Sequence, residues 1–164
     1  MGKKAKIKEV YMPHEVFFNL LRHEHQKVMD TIMQLEQTQG SKTMLWTQLK
    51  QDLIPHMKGE EKYFYPILLS EDKTKENAAE AMQEHKEAES LLNQLDRMMT
   101  TSSGNRENLM STFTSFRDAI QHHIKDEESK VFDDARQYID ENKMTDIMMN
   151  FQKEKQQILS SMSG

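Results

Sequence analysis

Apolar residues recur every three or four positions along four long segments of this chain, and each run is broken near its middle by a histidine. Such spacing marks one face of an α-helix; a half-buried strand would alternate instead. In the first segment Phe18 and Leu21 lead to His25 and then to Val28, Ile32 and Leu35. The second runs Leu49, Leu53, His56, Glu60, Phe64 and Ile67. The third carries Ala78, Ala81, His85, Leu92, Leu95 and Met99, and the fourth Phe113, Phe116, Ile120, His123, Glu127 and Val131. Mixed steps of three and four suit near-parallel helix packing. The expected fold is all-α: an up-down-up-down four-helix bundle with a short additional C-terminal helix.

Backbone punctuation supports this reading. Five Gly and three Pro in 164 residues fall well below average usage, roughly 12% for the two together. A β-sandwich or barrel would need many more turn residues. Pro13 suits the first turn of a helix, where its missing N–H is no loss. Gly40 and Gly104 are expected to cap helices in the left-handed conformation, with Ser41 and Asn105 as N-caps of the helices that follow. The polar stretch from Ser70 to Thr74 marks a third boundary. The expected helices cover 13–39, 42–69, 74–102 and 105–141, with a weaker fifth at 144–160. The domain reading is a tail at 1–12, a bundle at 13–141, and a C-terminal helix and tail of the same domain at 142–164.

Composition excludes several chemistries. The chain has no Cys, so disulfides, thiol nucleophiles and thiolate metal sites are out. Its net charge of −5 disfavours nucleic-acid binding. No run approaches the ~18 apolar residues of a membrane span, and the basic N-terminus lacks the apolar core of a signal peptide. Lys6 stands where a myristoylation motif wants Ser or Thr. The expected setting is the cytoplasm, without a membrane or nucleic-acid partner.

The gaps in the stripes carry the chemistry. His56–Glu60 and His123–Glu127 are i,i+4 pairs, so each aims an imidazole and a carboxylate from one helix face. An ionised carboxylate in a bundle core is strongly unfavourable unless paired or bound to metal. No Lys or Arg lies on the stripes near these gaps. Four imidazoles and two carboxylates converging in a dry core suit two divalent transition-metal ions. Two His per metal with two bridging carboxylates give four protein ligands each; a solvent-derived bridge makes five and leaves one position open.

Other residues stand nearer the margin. Glu89, four after His85, reads as a further ligand, an acceptor for an imidazole N–H, or a solvated edge residue. Tyr63, one α-helical turn beyond Glu60, reads as a hydrogen-bond donor or weak ligand, or as a core-edge aromatic. Glu61 and Glu128 point away from the ligating direction. His23 lies on the face opposite His25, His122 pairs with Asp126 in a register with polar neighbours, and His14 lies at a helix start. Pro55 is expected to kink the second helix. The fourteen methionines read as core gap-fillers.

The segments LLRHEHQKV, HMKGEEKYFYPIL, MQEHKEAESLL and HHIKDEESKVF resemble the four helices of hemerythrin-like domains, the HHE cation-binding family, over about 14–135. The resemblance implies a bundle holding a non-haem di-iron centre. It makes His25, His56, His85 and His123 terminal iron ligands and Glu60 and Glu127 the bridging carboxylates, with an oxo or hydroxo bridge between two irons. Oxygen-carrying members have HxxxH on the third helix and an Asp five residues after the last histidine. This chain has either Glu89 after His85 or Ala81 before it, and Glu127 at plus four, which points to the broader bacterial and archaeal group. The resemblance implies a protein that binds O2 or NO, a binding protein in preference to an enzyme. The alternatives are a di-iron oxidoreductase acting on peroxide, NO or Fe(II), and an iron-handling or sensing protein.

Overall fold

The structure is a computed structural model and describes residues 12–100 and 105–163. Five helical stretches follow one another: α1 (Pro13–Gln37), α2 (43–69), α3 (Lys75–Thr100), α4 (106–138) and α5 (Glu141–Met162). No strand occurs among the described residues. No helix there is long and apolar enough to cross a membrane.

Most boundaries fall within a few residues of expectation, but the caps differ. Asn105 does cap α4, accepting from the Glu107 N–H at 2.9 Å. Ser41 does not cap α2. The residue before that helix is Lys42, with no side-chain cap bond, and Ser41 lies 3.3 Å from the Thr43 hydroxyl instead. Gly40 has no positive φ. The chain leaves α1 through Thr38, extended at φ −76° and ψ 127°, so no left-handed residue is needed. Gly104, Lys6 and the N-terminal stretch through Tyr11 lie outside the described residues. The fourth helix stops at Tyr138, short of 141, because Ile139 is extended (φ −112°, ψ 124°) and Asp140 then caps α5 by accepting from the Lys143 N–H at 2.8 Å. The fifth helix is therefore 22 residues long, more than the short element expected. His14, at the start of α1, places Nε2 2.5 Å from the Ile139 carbonyl and ties the two ends together.

Two helices change geometry midway. The π-helical turn Glu60–Phe64 interrupts α2, and Glu127–Val131 interrupts α4. In each, the backbone bond spans five residues: Tyr65 N–H to the Glu60 carbonyl, and Phe132 N–H to the Glu127 carbonyl. The inserted residue rotates everything beyond it, so Tyr65 and Leu68 are buried and Ile67 is only partly so. Single π turns inside α-helices are rare and concentrate at functional sites.

Buried apolar residues form two clusters. One holds Phe17, Phe18, Leu21, Phe64, Phe132 and Phe151, with Phe18 and Phe132 stacked at 4.2 Å. The other holds Val28, Ile32, Leu53, Leu92, Phe116 and Ile120. Each such side chain contributes about 1.5–3 kcal/mol by leaving water. Along each of the first four helices a buried histidine falls where one cluster gives way to the other. Among the described methionines only Met57 and Met144 are in the buried core, while Met33, Met44, Met110 and Met149 are exposed. Leu, Ile and Phe fill the stripes, leaving methionine at the margins.

The fifth helix packs on α1 and α2. Its Phe151 ring meets Phe17 edge-on at 5.3 Å and His56 at 6.1 Å. A Cβ at Gly59 would lie 2.7 Å from Phe151 Cδ2. Glycine at 59 is thus what lets α5 approach the turn that begins at Glu60.

Candidate metal centre

His25, His56, Glu60, His85, His123 and Glu127 converge in the layer between the two apolar clusters, all buried, with both glutamates at 0% exposure. The Nε2 atoms face inward. His25 Nε2 lies 3.2 Å from Glu127 Oε1, and His56 Nε2 lies 2.8 Å from Glu60 Oε1. His85 and His123 bring their Nε2 atoms to 3.0 Å of each other. His85 Nε2 is 3.6 Å from Glu60 Oε1, and His123 Nε2 is 3.6 Å from Glu127 Oε2. The donor atoms fall into two groups, each within 4.8 Å: Glu60, His85, His123 and Glu127, and His25, His56 and Glu127. Glu127 belongs to both groups and could reach an ion in either.

The Nδ1 atoms face outward, each toward a different carboxylate. His25 Nδ1 is 3.9 Å from Glu128, His56 Nδ1 is 3.7 Å from Glu24, His85 Nδ1 is 3.2 Å from Glu61, and His123 Nδ1 is 3.1 Å from Glu84. A carboxylate facing Nδ1–H fixes the tautomer that leaves the Nε2 lone pair pointing inward. The pattern has a two-fold logic. Glu24-His25 on α1 corresponds to Glu84-His85 on α3, and His56 with Glu60-Glu61 on α2 corresponds to His123 with Glu127-Glu128 on α4. Each histidine takes its outer carboxylate from a helix of the other type. Lys155 of α5 pairs with Glu24, and Lys58 reaches Glu61 at 3.3 Å.

Electrostatics show why this arrangement suits cations. Both nitrogens of His25 and of His56, both oxygens of Glu60 and Oε1 of Glu127 are buried without a hydrogen bond. Several stand within bonding distance of one another yet misaligned, as donor atoms directed at a common centre would be. Leaving such groups unsatisfied costs about 1–3 kcal/mol each. Burial and the Glu127 charge push Glu60 well above the usual carboxylate range. Glu127, in spite of its burial, is held well below that range by His25 and His123. Burial, with His123 beside it, pushes His85 down to about 4, the neutral form that can ligate. Burial opposes charge on His25 too, but Glu127 and Glu128 raise it. Two nearby carboxylates and four imidazoles in a dry layer form a nitrogen and oxygen donor set that fits borderline transition-metal ions.

The structure places the remaining candidates elsewhere. Glu89 is not in the cluster; its partly exposed carboxylate pairs with Lys58 at 3.0 Å. Tyr63 is not there either, and Lys62 covers its ring at 5.5 Å. His122 is 63% exposed and 3.3 Å from Asp126, and His23 is exposed. Sequence reading missed Tyr65, which is fully buried with its hydroxyl 3.1 Å from His85 Nε2. It also missed the outer roles of Glu24 and Glu84. The repeated Glu-His dipeptide on α1 and α3 was the signal for that pair.

Comparison with curated proteins and with solved structures gave no significant match. The family model described as the Hemerythrin HHE cation binding domain matches residues 16–135 and so takes in all six converging side chains and the whole outer ring. The chain belongs to the hemerythrin HHE cation-binding domain family.

Proposed function

We propose that His25, His56, His85, His123, Glu60 and Glu127 hold two non-haem iron ions, with both glutamates bridging, and that the centre binds a small diatomic, O2 or NO. The observation that carries this reading is the set of buried, unpartnered imidazole and carboxylate atoms directed at one layer of the core. The domain is read as residues 13–141 in up-down-up-down order, with the fifth helix part of the same unit.

Held by these six side chains, two reduced irons would supply the electrons and the binding site for the diatomic. The protein's own part is separable from that chemistry. Glu61 and Glu84 hold His85 and His123 in the ligating tautomer through their Nδ1 atoms, while Glu128 and Glu24 set a negative charge beyond His25 and His56 at 3.9 and 3.7 Å. Phe17, Phe64 and Phe151 on one side and Leu53 and Ile120 on the other exclude bulk water. Neutral His85 contributes a lone pair without first shedding a proton at neutral pH.

The test is optical. Anaerobically reduced, iron-loaded protein is exposed to O2 and, in a separate cuvette, to NO. Binding predicts a new absorption that reverses when the gas is withdrawn. Irreversible oxidation with sustained peroxide consumption would instead assign the centre to an oxidoreductase.

A further inference from the structure

The two halves of the centre match in their converging histidines and glutamates and in the carboxylates outside them, but differ at the position that closes each π turn. Tyr65 in α2 and Phe132 in α4 hold that position, each donating its backbone N–H to the glutamate that opens the turn. Phe132 is fully buried, stacks on Phe18 and brings no polar side-chain atom. Tyr65 is also fully buried, but its ring lies 5.1 Å from the His85 ring and its hydroxyl enters the donor layer. The oxygen is 3.1 Å from His85 Nε2 and in contact with Glu127 Oε2. Those two atoms are inward-facing donors of the cluster, since His85 Nδ1 is already engaged by Glu61. A buried tyrosine hydroxyl ordinarily finds an acceptor at the edge of a core. Here both neighbours are the atoms that would bind metal, so the phenol oxygen stands among the donors and not beside them.

We propose that Tyr65 is a seventh protein ligand, its phenolate oxygen bound at the metal position framed by His85 and His123, which makes the two positions of the centre chemically different. This rests on the di-iron reading above. Ligation breaks the phenolic O–H bond and forms one oxygen–metal bond; a proton leaves to solvent and no electron moves. Phe132, the counterpart of Tyr65 at the other π turn, has no side-chain atom that can ligate, so the His25 and His56 position would gain no seventh protein ligand and would keep room for an added one. Gas binding is thereby assigned to one side of the centre.

The experiment uses the full chain loaded with iron and oxidised, read by visible absorption, resonance Raman and iron counting. Wild type is expected to show a phenolate-to-Fe(III) charge-transfer band with enhanced tyrosine ring modes. Tyr65→Phe is expected to lose both while keeping the wild-type iron count. The chain has four tyrosines, so the triple variant Tyr11→Phe, Tyr63→Phe, Tyr138→Phe leaves Tyr65 alone. It is expected to keep the band, and it decides the matter even where Tyr65→Phe does not fold. Wild type carrying two irons but no phenolate modes overturns the Tyr65 proposal and leaves the di-iron reading standing. Modes that persist in Tyr65→Phe, or vanish in the triple variant, overturn it equally. A chain that takes up no iron overturns both readings.

Discussion

Glu60 and Glu127 each open a π-helical turn, one in α2 and one in α4, and both are wholly shielded from solvent. Two carboxylates in one dry layer repel each other unless a cation or a proton lies between them. Glu60→Gln removes one charge while nearly keeping the shape. Its expected effect is opposite in sign with and without metal. Iron content should fall below one ion per chain, whereas the metal-free fold should hold its stability or gain up to ~2 kcal/mol. Iron counting and urea unfolding of the stripped protein check the two halves.

The carboxylates outside the histidines should tune the metal without touching it. Glu84 lies 3.1 Å from His123 Nδ1. Glu84→Ala frees that imidazole to rotate and weakens its donor strength. Metal affinity should drop roughly 10–100-fold, with helix content unchanged by circular dichroism. His23→Ala, on the exposed face of α1, is the matched control and should leave affinity at the wild-type value.

Gly59→Ala sets two effects against each other. Alanine is the better helix former by about 1 kcal/mol. The added methyl would meet the Phe151 ring at 2.7 and 2.9 Å, and a buried ring cannot swing aside as a long flexible chain could. Overpacking should win, with a net loss of about 1–3 kcal/mol. Combining it with Phe151→Leu should recover part of that loss, a non-additivity that thermal unfolding of the four proteins would reveal.

His85 gives the metal-free protein a defined pH response. Its pKa is lowered from 6.5 to about 4 by burial. The unfolded chain therefore binds a proton between those values that the folded chain does not. Stability from this group is intact above pH 6.5 and is lost as pH falls toward 4, at up to about 1.4 kcal/mol per unit. His85→Gln should flatten that part of the curve. Urea midpoints between pH 7 and pH 5 for the two stripped proteins check this, the His85 share being the difference between their slopes.

Periodicity made the helices and the six central side chains legible, because a polar residue on an apolar stripe is conspicuous when it recurs on every helix. It failed where the period itself changed. Reading one α-helical turn beyond Glu60 led to Tyr63, but the π turn places Tyr65 next on that face. Nothing local in EEKYF or EESKV announces a five-residue backbone bond; the twin turns arise where both helices must aim a glutamate into the core. Of the three places read for Glu89, the structure gives it the edge one. At i+4 from His85 it lies within reach of Lys58 on α2, a tertiary pairing that a single helix cannot reveal. The caps at Gly40 and Ser41 failed because Thr38 leaves α1 extended, where the expected turn chemistry has no role.

A stoichiometric Fe(II) titration under anaerobic conditions decides whether this layer holds a pair of iron ions. Stripped wild-type protein should take up two Fe(II) per chain, and His56→Ala, still folded by circular dichroism, should lose at least one of them. Uptake of a single ion by wild type, or an unchanged count in His56→Ala, would rule out a pair held by these side chains.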